Sequence, residues 1–147
     1  MNAPADAYLF KEHLYKVFNE KIHWREARKK CEEMGGTLAM IKSEDENRFV
    51  LSLVVKAGLE TAWLGATDEK EECRWLWLDG SELVFNVWDL AARQPNNRGP
   101  GGVVEHYLVT LAFRGGAWWD YPDFNLTQLH PGFVCQWGAA TPPTSPR

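Results

Sequence analysis

Two helix-like segments come early in this chain, and short strand-like segments make up most of the rest. Between residues 24 and 34 apolar side chains recur at steps of three and four, which predicts a helix with one buried face that ends at Gly35-Gly36. Residues 43–46 form a capping box that begins a second helix, which ends near Gly58. Strand-like runs cover residues 8–18, 62–65, 74–78, 107–113 and 132–137. Because the alternating strand and helix units of a parallel sheet are missing, this order predicts an α+β fold with antiparallel pairing.

Length and composition predict one domain. The chain has 147 residues, 45% of them hydrophobic, and a formal net charge of -4. We expect the domain at 8–138, a short N-terminal extension at 1–7, and a Pro/Thr/Ser-rich linker or tail at 139–147. Charges of both signs are interspersed and no long apolar run occurs, so we expect neither nucleic-acid binding nor membrane insertion. The N-terminus lacks the pattern of a signal peptide, which fits either a cytosolic protein or a module of a longer secreted or membrane-anchored one.

A long segment without either periodicity covers residues 90–104. Such a loop inside a compact domain is usually functional. The alternative is an ordered surface excursion that only packs on the core.

Around this loop, several motifs occur in a characteristic order. They are Trp63-Leu64-Gly65-Ala66, Trp75-Leu76-Trp77-Leu78-Asp79-Gly80, Trp88, Gln94-Pro95-Asn96, Glu105, Trp118-Trp119-Asp120 and Phe133-Val134-Cys135-Gln136-Trp137. Together they resemble the C-type lectin-like domain over roughly residues 8 to 137. The resemblance implies two helices flanking small antiparallel sheets with a long ligand-binding loop. We expect four of the tryptophans to be core residues: Trp63, Trp75, Trp77 and Trp137.

Three cysteines leave at least one unpaired within a monomer. Helical periodicity turns Cys31 inward, and the resemblance implies that it pairs with Cys135. A disulfide implies an oxidising compartment, hence an extracellular or cell-surface location within a larger protein. The family's second disulfide is absent, as in some lectin-like domains of bacterial proteins, which suggests a bacterial multidomain parent. Cys73 is left as a buried or partly exposed thiol, or as one half of an intermolecular disulfide, and the oligomeric state stays open.

The resemblance also implies a calcium site whose open coordination positions hold sugar hydroxyls. Its primary ligands would be Gln94, Asn96, Glu105 and Asp120, with the peptide bond before Pro95 in the cis form. Ca2+ takes about six to eight oxygen ligands, and these residues offer carboxylate and amide oxygens. Trp119 stands where the family has an Asn, and an indole offers no oxygen ligand. Trp119 could instead stack on a sugar ring.

An auxiliary calcium site is implied beside the first. Asp68 and Glu72 would supply acidic ligands, and Asn97 with Glu105 would complete it from the loop. The alternative is a solvated acidic turn, a common surface feature.

These features predict a ligand-recognition module that binds carbohydrate with the help of calcium. Gln94-Pro95-Asn96 lies between two patterns of the family, Glu-Pro-Asn for mannose-type sugars and Gln-Pro-Asp for galactose-type sugars. Gln94 matches the first residue of the galactose-type pattern, and the Gly-rich stretch 99–102 resembles the extended loop of galactose binders. The alternatives are a calcium-independent protein-interaction domain and a purely structural domain. The chain is not expected to be an enzyme, because its four histidines are scattered and no hydrolase or phosphate-binding motif occurs. His106, beside Glu105, is interpreted as ordinary structure at the junction of loop and strand.

Overall fold

The structure, a computed structural model, describes residues 3–71, 73–95, 106–121 and 130–138. Four of the predicted ligand residues lie outside these ranges: Glu72, Asn96, Asn97 and Glu105. The Gly-rich stretch 99–102 and the predicted tail at 139–147 also lie outside them. Within the described ranges, no helix combines the length and the apolar character needed to cross a bilayer.

Both predicted helices are present, and the described residues also form eight strands. The helices are α1 (Trp24–Glu33) and α2 (Glu44–Lys56). The strands are β1 (Tyr8–Phe10), β2 (His13–Phe18), β3 (Thr37–Leu38), β4 (Thr61–Thr67), β5 (Leu76–Trp77), β6 (Tyr107–Leu111), β7 (Ala117–Tyr121) and β8 (Gly132–Gly138). The predicted run 74–78 is strand only at its centre, and β7 was not expected as a strand.

The strands form one sheet in the order β1-β2-β8-β4-β6-β7, with β3 paired to β8 and β5 paired to β4. Neighbouring strands are antiparallel except β4 and β8, which run parallel over a short stretch. The predicted α+β class with antiparallel pairing is therefore confirmed, with this one parallel contact added. β7 ends the sheet, and its free edge becomes important for the candidate site.

The helix patterns have the predicted physical basis. On α1, Trp24, Ala27 and Cys31 form the buried face, as their spacing indicates. At the start of α2, the Ser43 hydroxyl accepts a hydrogen bond from the Glu46 N–H at 3.2 Å, which satisfies one of the amides that a helix N-terminus leaves without a partner.

The core consists of two aromatic-rich clusters. One lies against α2 and contains Trp75, Trp77 and Trp118. The other lies against α1 and contains Trp24, Trp63 and Trp137. The four tryptophans that were expected in the core are all buried, so that prediction is confirmed.

The Cys31–Cys135 disulfide joins α1 to β8, with a Cα–Cα distance of 5.6 Å and a sequence separation of 104. The pairing implied by the resemblance is confirmed. Cys73 is a free and exposed thiol.

Candidate ligand-binding site

The segment that leads into the long loop, residues 87–94, lies along the outer edge of β7. The backbone N–H of Trp118 donates to the Val87 carbonyl at 2.9 Å, and the backbone N–H of Asp89 donates to the Trp118 carbonyl at 3.1 Å. These contacts form a short parallel bridge between residues 88 and 118. Two residues further along β7, the N–H of Asp120 points to the same edge and donates to Gln94 Oε1 at 3.2 Å. The Gln94 side chain thus takes the place that a backbone carbonyl of a neighbouring strand would fill.

This hydrogen bond brings together two of the predicted calcium ligands. Gln94 and Asp120 are both buried, at 8% and 1% exposure. The Gln94–Pro95 peptide bond is cis, as the resemblance implies. The Gln94 amide oxygen therefore lies against the backbone of Asp120 at the edge of the sheet, and the side chains of these two residues carry oxygen atoms of the types that Ca2+ prefers.

Asp89 holds the loop where it leaves the sheet. It precedes a short 3-10 helix, Leu90–Ala92, and is almost fully buried. Its Oδ2 accepts hydrogen bonds from Arg114 Nε and from Trp119 Nε1, the latter at 2.9 Å. Its Oδ1 accepts from Arg114 Nη2 at 3.1 Å and from the Ala92 N–H at 3.3 Å. The hydrogen bonds from Arg114, and then from Trp119, lower the pKa of the Asp89 carboxyl to about 2.

Trp119 is half-buried against the cluster on the α1 side. Its side chain leaves β7 on the face opposite to that of Asp120, because neighbouring strand residues alternate. The indole N–H bonds to Asp89, and the hydrogen bond between Gln94 and Asp120 forms in its presence. The Trp119 indole therefore does not separate these two residues.

Asp68, predicted for the auxiliary site, already has protein partners on both oxygens. Oδ1 lies 2.8 Å from His106 Nδ1, and Oδ2 accepts the Cys73 N–H at 2.8 Å. Asp68 is 2% exposed, so the solvated acidic turn does not describe this residue. These contacts join the turn after β4 to the residue that precedes β6, which gives His106 the structural role expected of it.

Among the residues that the structure describes, no three His, Cys, Asp or Glu side chains gather as a metal-binding group. Half of the predicted primary site, Gln94 and Asp120, is described and adjacent. The other half falls outside the described ranges, so the site assignment stays a prediction.

Sequence reasoning missed Asp89 and Arg114. An Asp before a short helix is a common capping pattern, and this local signal could have indicated Asp89. Nothing in the sequence connects it to Arg114 and Trp119, which are 25 and 30 positions away. Only the pairing of the loop with β7 brings the three together.

Comparison with known proteins agrees with the fold. The model of the lectin C-type domain family matches residues 20–136. Mouse Lithostathine-2 is 32% identical over 142 residues, which cover 95% of this chain and 77% of that protein. Mouse CD209 antigen-like protein C is 32% identical over 122 residues, which cover 81% of this chain and 62% of that protein. The chain belongs to the lectin C-type domain family, whose members are generally binding modules rather than enzymes.

Solved structures give the same result. The carbohydrate-recognition domain of mouse scavenger receptor C-type lectin has a TM-score of 0.76 at 28% identity and covers 93% of this chain and 98% of its own. The domain of cow CD23, solved in the presence of a GlcNAc2Man3 oligosaccharide, has a TM-score of 0.77 at 27% identity and covers 95% and 98%. A Ca2+-dependent type II antifreeze protein in its Ca2+-free form has a TM-score of 0.75 at 30% identity and covers 92% and 99%. The expected C-type lectin fold is confirmed, whereas these relatives give no support to a bacterial parent.

Proposed function

We propose that this domain recognises a glycan with the help of a calcium ion held by Gln94, Asn96, Glu105 and Asp120. The observation that carries the proposal is the hydrogen bond from the Asp120 N–H to Gln94 Oε1. It places the Gln94 amide oxygen against the backbone of Asp120, a buried residue whose carboxylate is also a hard oxygen ligand of the kind that Ca2+ requires.

The donor set fits the ion chemically. A carbonyl oxygen has two lone pairs, so Gln94 Oε1 can keep the Asp120 N–H and still face a cation. Asp120 adds the negative charge. Calcium, when bound, would supply open coordination positions for a pair of sugar hydroxyls. Because Trp119 contributes no oxygen, one position would go to water, and we expect weaker calcium binding than a complete ligand set would give.

We further propose a galactose-type sugar, since Gln94 matches the first residue of the galactose pattern. Cow CD23 was solved in the presence of a GlcNAc2Man3 oligosaccharide, which makes mannose the natural second sugar in any comparison. The half-buried Trp119 offers an apolar ring near the loop, although its N–H is already bonded to Asp89. An aromatic ring beside a few polar groups is typical of carbohydrate sites.

A second candidate function is calcium-independent recognition of a protein. The observation that favours it is the Trp119 indole bonded to Asp89 at the position where the family has an oxygen donor. In this case the loop would be held by protein contacts alone, and a protein surface would replace the glycan as the ligand.

The Cys31–Cys135 disulfide supports an extracellular or cell-surface location within a larger protein. The exposed Cys73 thiol is a candidate for an intermolecular disulfide, which electrophoresis with and without reductant would test.

Calcium-linked stability tests the proposal. A ligand that binds only the folded state raises stability by an amount that grows with the logarithm of its concentration, about 2.7 kcal/mol at 100 times its Kd. We expect the melting temperature to rise from EDTA to millimolar calcium for the wild type and for Asp45→Asn, an exposed control paired with Lys11. We expect the rise to be lost in Asp120→Asn.

The calcium-induced shift is compared within each variant, because replacing the buried Asp120 can also lower the melting temperature in EDTA. If calcium does not change the melting temperature of the wild type, the calcium-independent alternative is favoured. An equal shift in Asp120→Asn would remove Asp120 from the calcium site.

A further inference from the structure

We propose that Asp89, Arg114 and Trp119 form a positioning lock that holds Gln94 against Asp120 at the mouth of the ligand site. The inference rests on the proposed function for its consequence in binding, whereas the lock itself can be measured without any ligand. None of the three residues was singled out by the sequence as a member of such a group.

The carboxylate of Asp89 is the centre of the lock. Four donors reach it: two from the Arg114 guanidinium, one from the Trp119 indole and one from the Ala92 backbone. A two-point contact between a guanidinium and a carboxylate is among the stronger hydrogen-bonded pairs in proteins and fixes the relative orientation of both groups. Each carboxylate oxygen accepts two of these hydrogen bonds, so a partial rotation of the Asp89 carboxylate would weaken several of them at once.

Backbone hydrogen bonds connect Asp89 to Gln94. The Asp89 carbonyl accepts the Gln94 N–H at 3.1 Å and the Ala92 N–H at 3.1 Å. Arg93 donates to the Leu90 carbonyl at 3.0 Å and has a positive φ of 58°, which turns the chain back toward the sheet. The bond from the Gln94 N–H to the Asp89 carbonyl closes the turn from residue 89 to 94. Because the turn is closed, a shift of Asp89 would also move Gln94.

The lock joins three separate parts of the chain. Asp89 immediately precedes the loop, and Arg114 belongs to the short 3-10 helix between β6 and β7. Trp119 lies within β7, directly before Asp120. The hydrogen bonds of Asp89 therefore fix the start of the loop relative to β7, the strand that contains Asp120. Donor atoms that are held in place before the ligand arrives bind it more tightly, because less ordering remains to be done on binding.

Hydrogen exchange in EDTA tests the lock directly. The two reporter amides are those of Gln94 and Asp120, and the amides of Ala39 and Gly65, bonded in the sheet region, serve as internal references. Trp119→Phe removes the indole donor while retaining a ring, and Asp89→Asn removes the charge with little change of shape. In both variants we expect the reporter amides to exchange about tenfold faster, the size expected from one lost hydrogen bond, with the reference amides unchanged.

Trp137→Phe is the matched control. It also removes an indole donor, here one bonded to the Met34 carbonyl at 3.0 Å, in a part of the molecule away from the loop. We expect it to leave exchange at Gln94 and Asp120 unchanged. Unchanged exchange at these amides in both Trp119→Phe and Asp89→Asn would overturn the proposal, as would equal acceleration in Trp137→Phe.

Calcium affinity, measured by calorimetry with CaCl2 alone, gives the second readout. We expect the Kd of Trp119→Phe to rise about tenfold with the melting temperature in EDTA nearly unchanged, because a positioning residue acts on binding more than on folding. If the calcium Kd of Trp119→Phe equals that of the wild type, the lock does not serve the ligand site. If the wild type binds no calcium, the proposed function fails, while the exchange comparison still decides whether the lock exists.

Discussion

The side chain of Gln94 accepts a hydrogen bond from the backbone N–H of Asp120, 26 residues further along the chain. It completes a row of contacts that Val87 and Asp89 begin along the same edge of β7. An edge strand otherwise presents unpaired N–H groups to solvent or to other chains. The segment that leads into the proposed ligand site thus also covers the edge of the sheet. The hydrogen bond between Gln94 and Asp120 both caps an edge amide and positions a proposed calcium ligand.

The acid sensitivity of the domain should depend on Asp89. Its pKa lies at about 2 in the folded protein, below its ordinary value of 3.8. A carboxyl whose pKa is lowered by folding stabilises the protein above its unfolded pKa, and this contribution is lost as the pH falls through the folded pKa. We therefore expect the difference in melting temperature between wild type and Asp89→Asn, measured in EDTA, to shrink from about pH 4 down to about pH 2. A difference that stays constant over this range would contradict the ionised, hydrogen-bonded carboxylate.

Loss of the disulfide should be costly. The loop closed by Cys31 and Cys135 spans 104 residues, and the chain-entropy model gives about 4 to 5 kcal/mol for such a length. We expect the double variant Cys31→Ala/Cys135→Ala to have a free energy of unfolding, measured by urea titration, about 2 to 5 kcal/mol below that of the wild type. Cys73→Ser is the control and should change it by less than about 0.5 kcal/mol, because this thiol is free and exposed. Equal effects would remove the disulfide as a main source of stability.

Asp68 should stabilise the fold even without calcium. Its carboxylate has two hydrogen-bonding partners, and replacement by Ala leaves the Cys73 N–H without its acceptor. We expect Asp68→Ala to cost about 1 to 3 kcal/mol in urea unfolding with EDTA present. Glu71→Ala, which removes an exposed ion pair with Arg74, should cost less than about 1 kcal/mol. A cost for Asp68→Ala that is seen only with calcium would identify Asp68 chiefly as a cation ligand.

The approach of β4 to β3 depends on a missing side chain. A Cβ on Gly65 would lie 2.6 Å from the Leu38 carbonyl oxygen. Relieving this contact requires a shift of the backbone, so we expect Gly65→Ala to cost about 1 to 3 kcal/mol. Gly138→Ala, where a Cβ meets nothing within 4 Å, should be nearly neutral. Similar urea midpoints for the two variants would show that the strands separate without cost.

Much of the fold could be predicted because its signals are local. The spacing of Trp24, Ala27 and Cys31 indicated the buried face of α1, and the Ser43 to Glu46 pattern indicated the start of α2. Strand β7 was harder, since a five-residue segment with two adjacent tryptophans shows no clear alternation of apolar and polar residues in the sequence. Its place in the sheet depends on pairing with β6, which no local pattern expresses.

Part of the candidate site could likewise be predicted from the sequence, and part of it could not. The resemblance implied the cis bond before Pro95 and the nearness of Gln94 to Asp120, and the structure has both. The partners of Trp119 could not be predicted, because an indole in a sequence indicates burial but not which acceptor its N–H will find. That acceptor, Asp89, is set by the position of the loop along β7, a property of the assembled sheet.

Retention on immobilised sugar tests the central claim most directly. The wild-type domain would be applied to galactose and mannose columns in millimolar calcium and then washed with EDTA. We predict retention on a sugar column, with galactose favoured, followed by release in EDTA, and no retention of Asp120→Asn. Passage of the wild type through both columns, or retention that EDTA does not reverse, would contradict calcium-assisted glycan recognition.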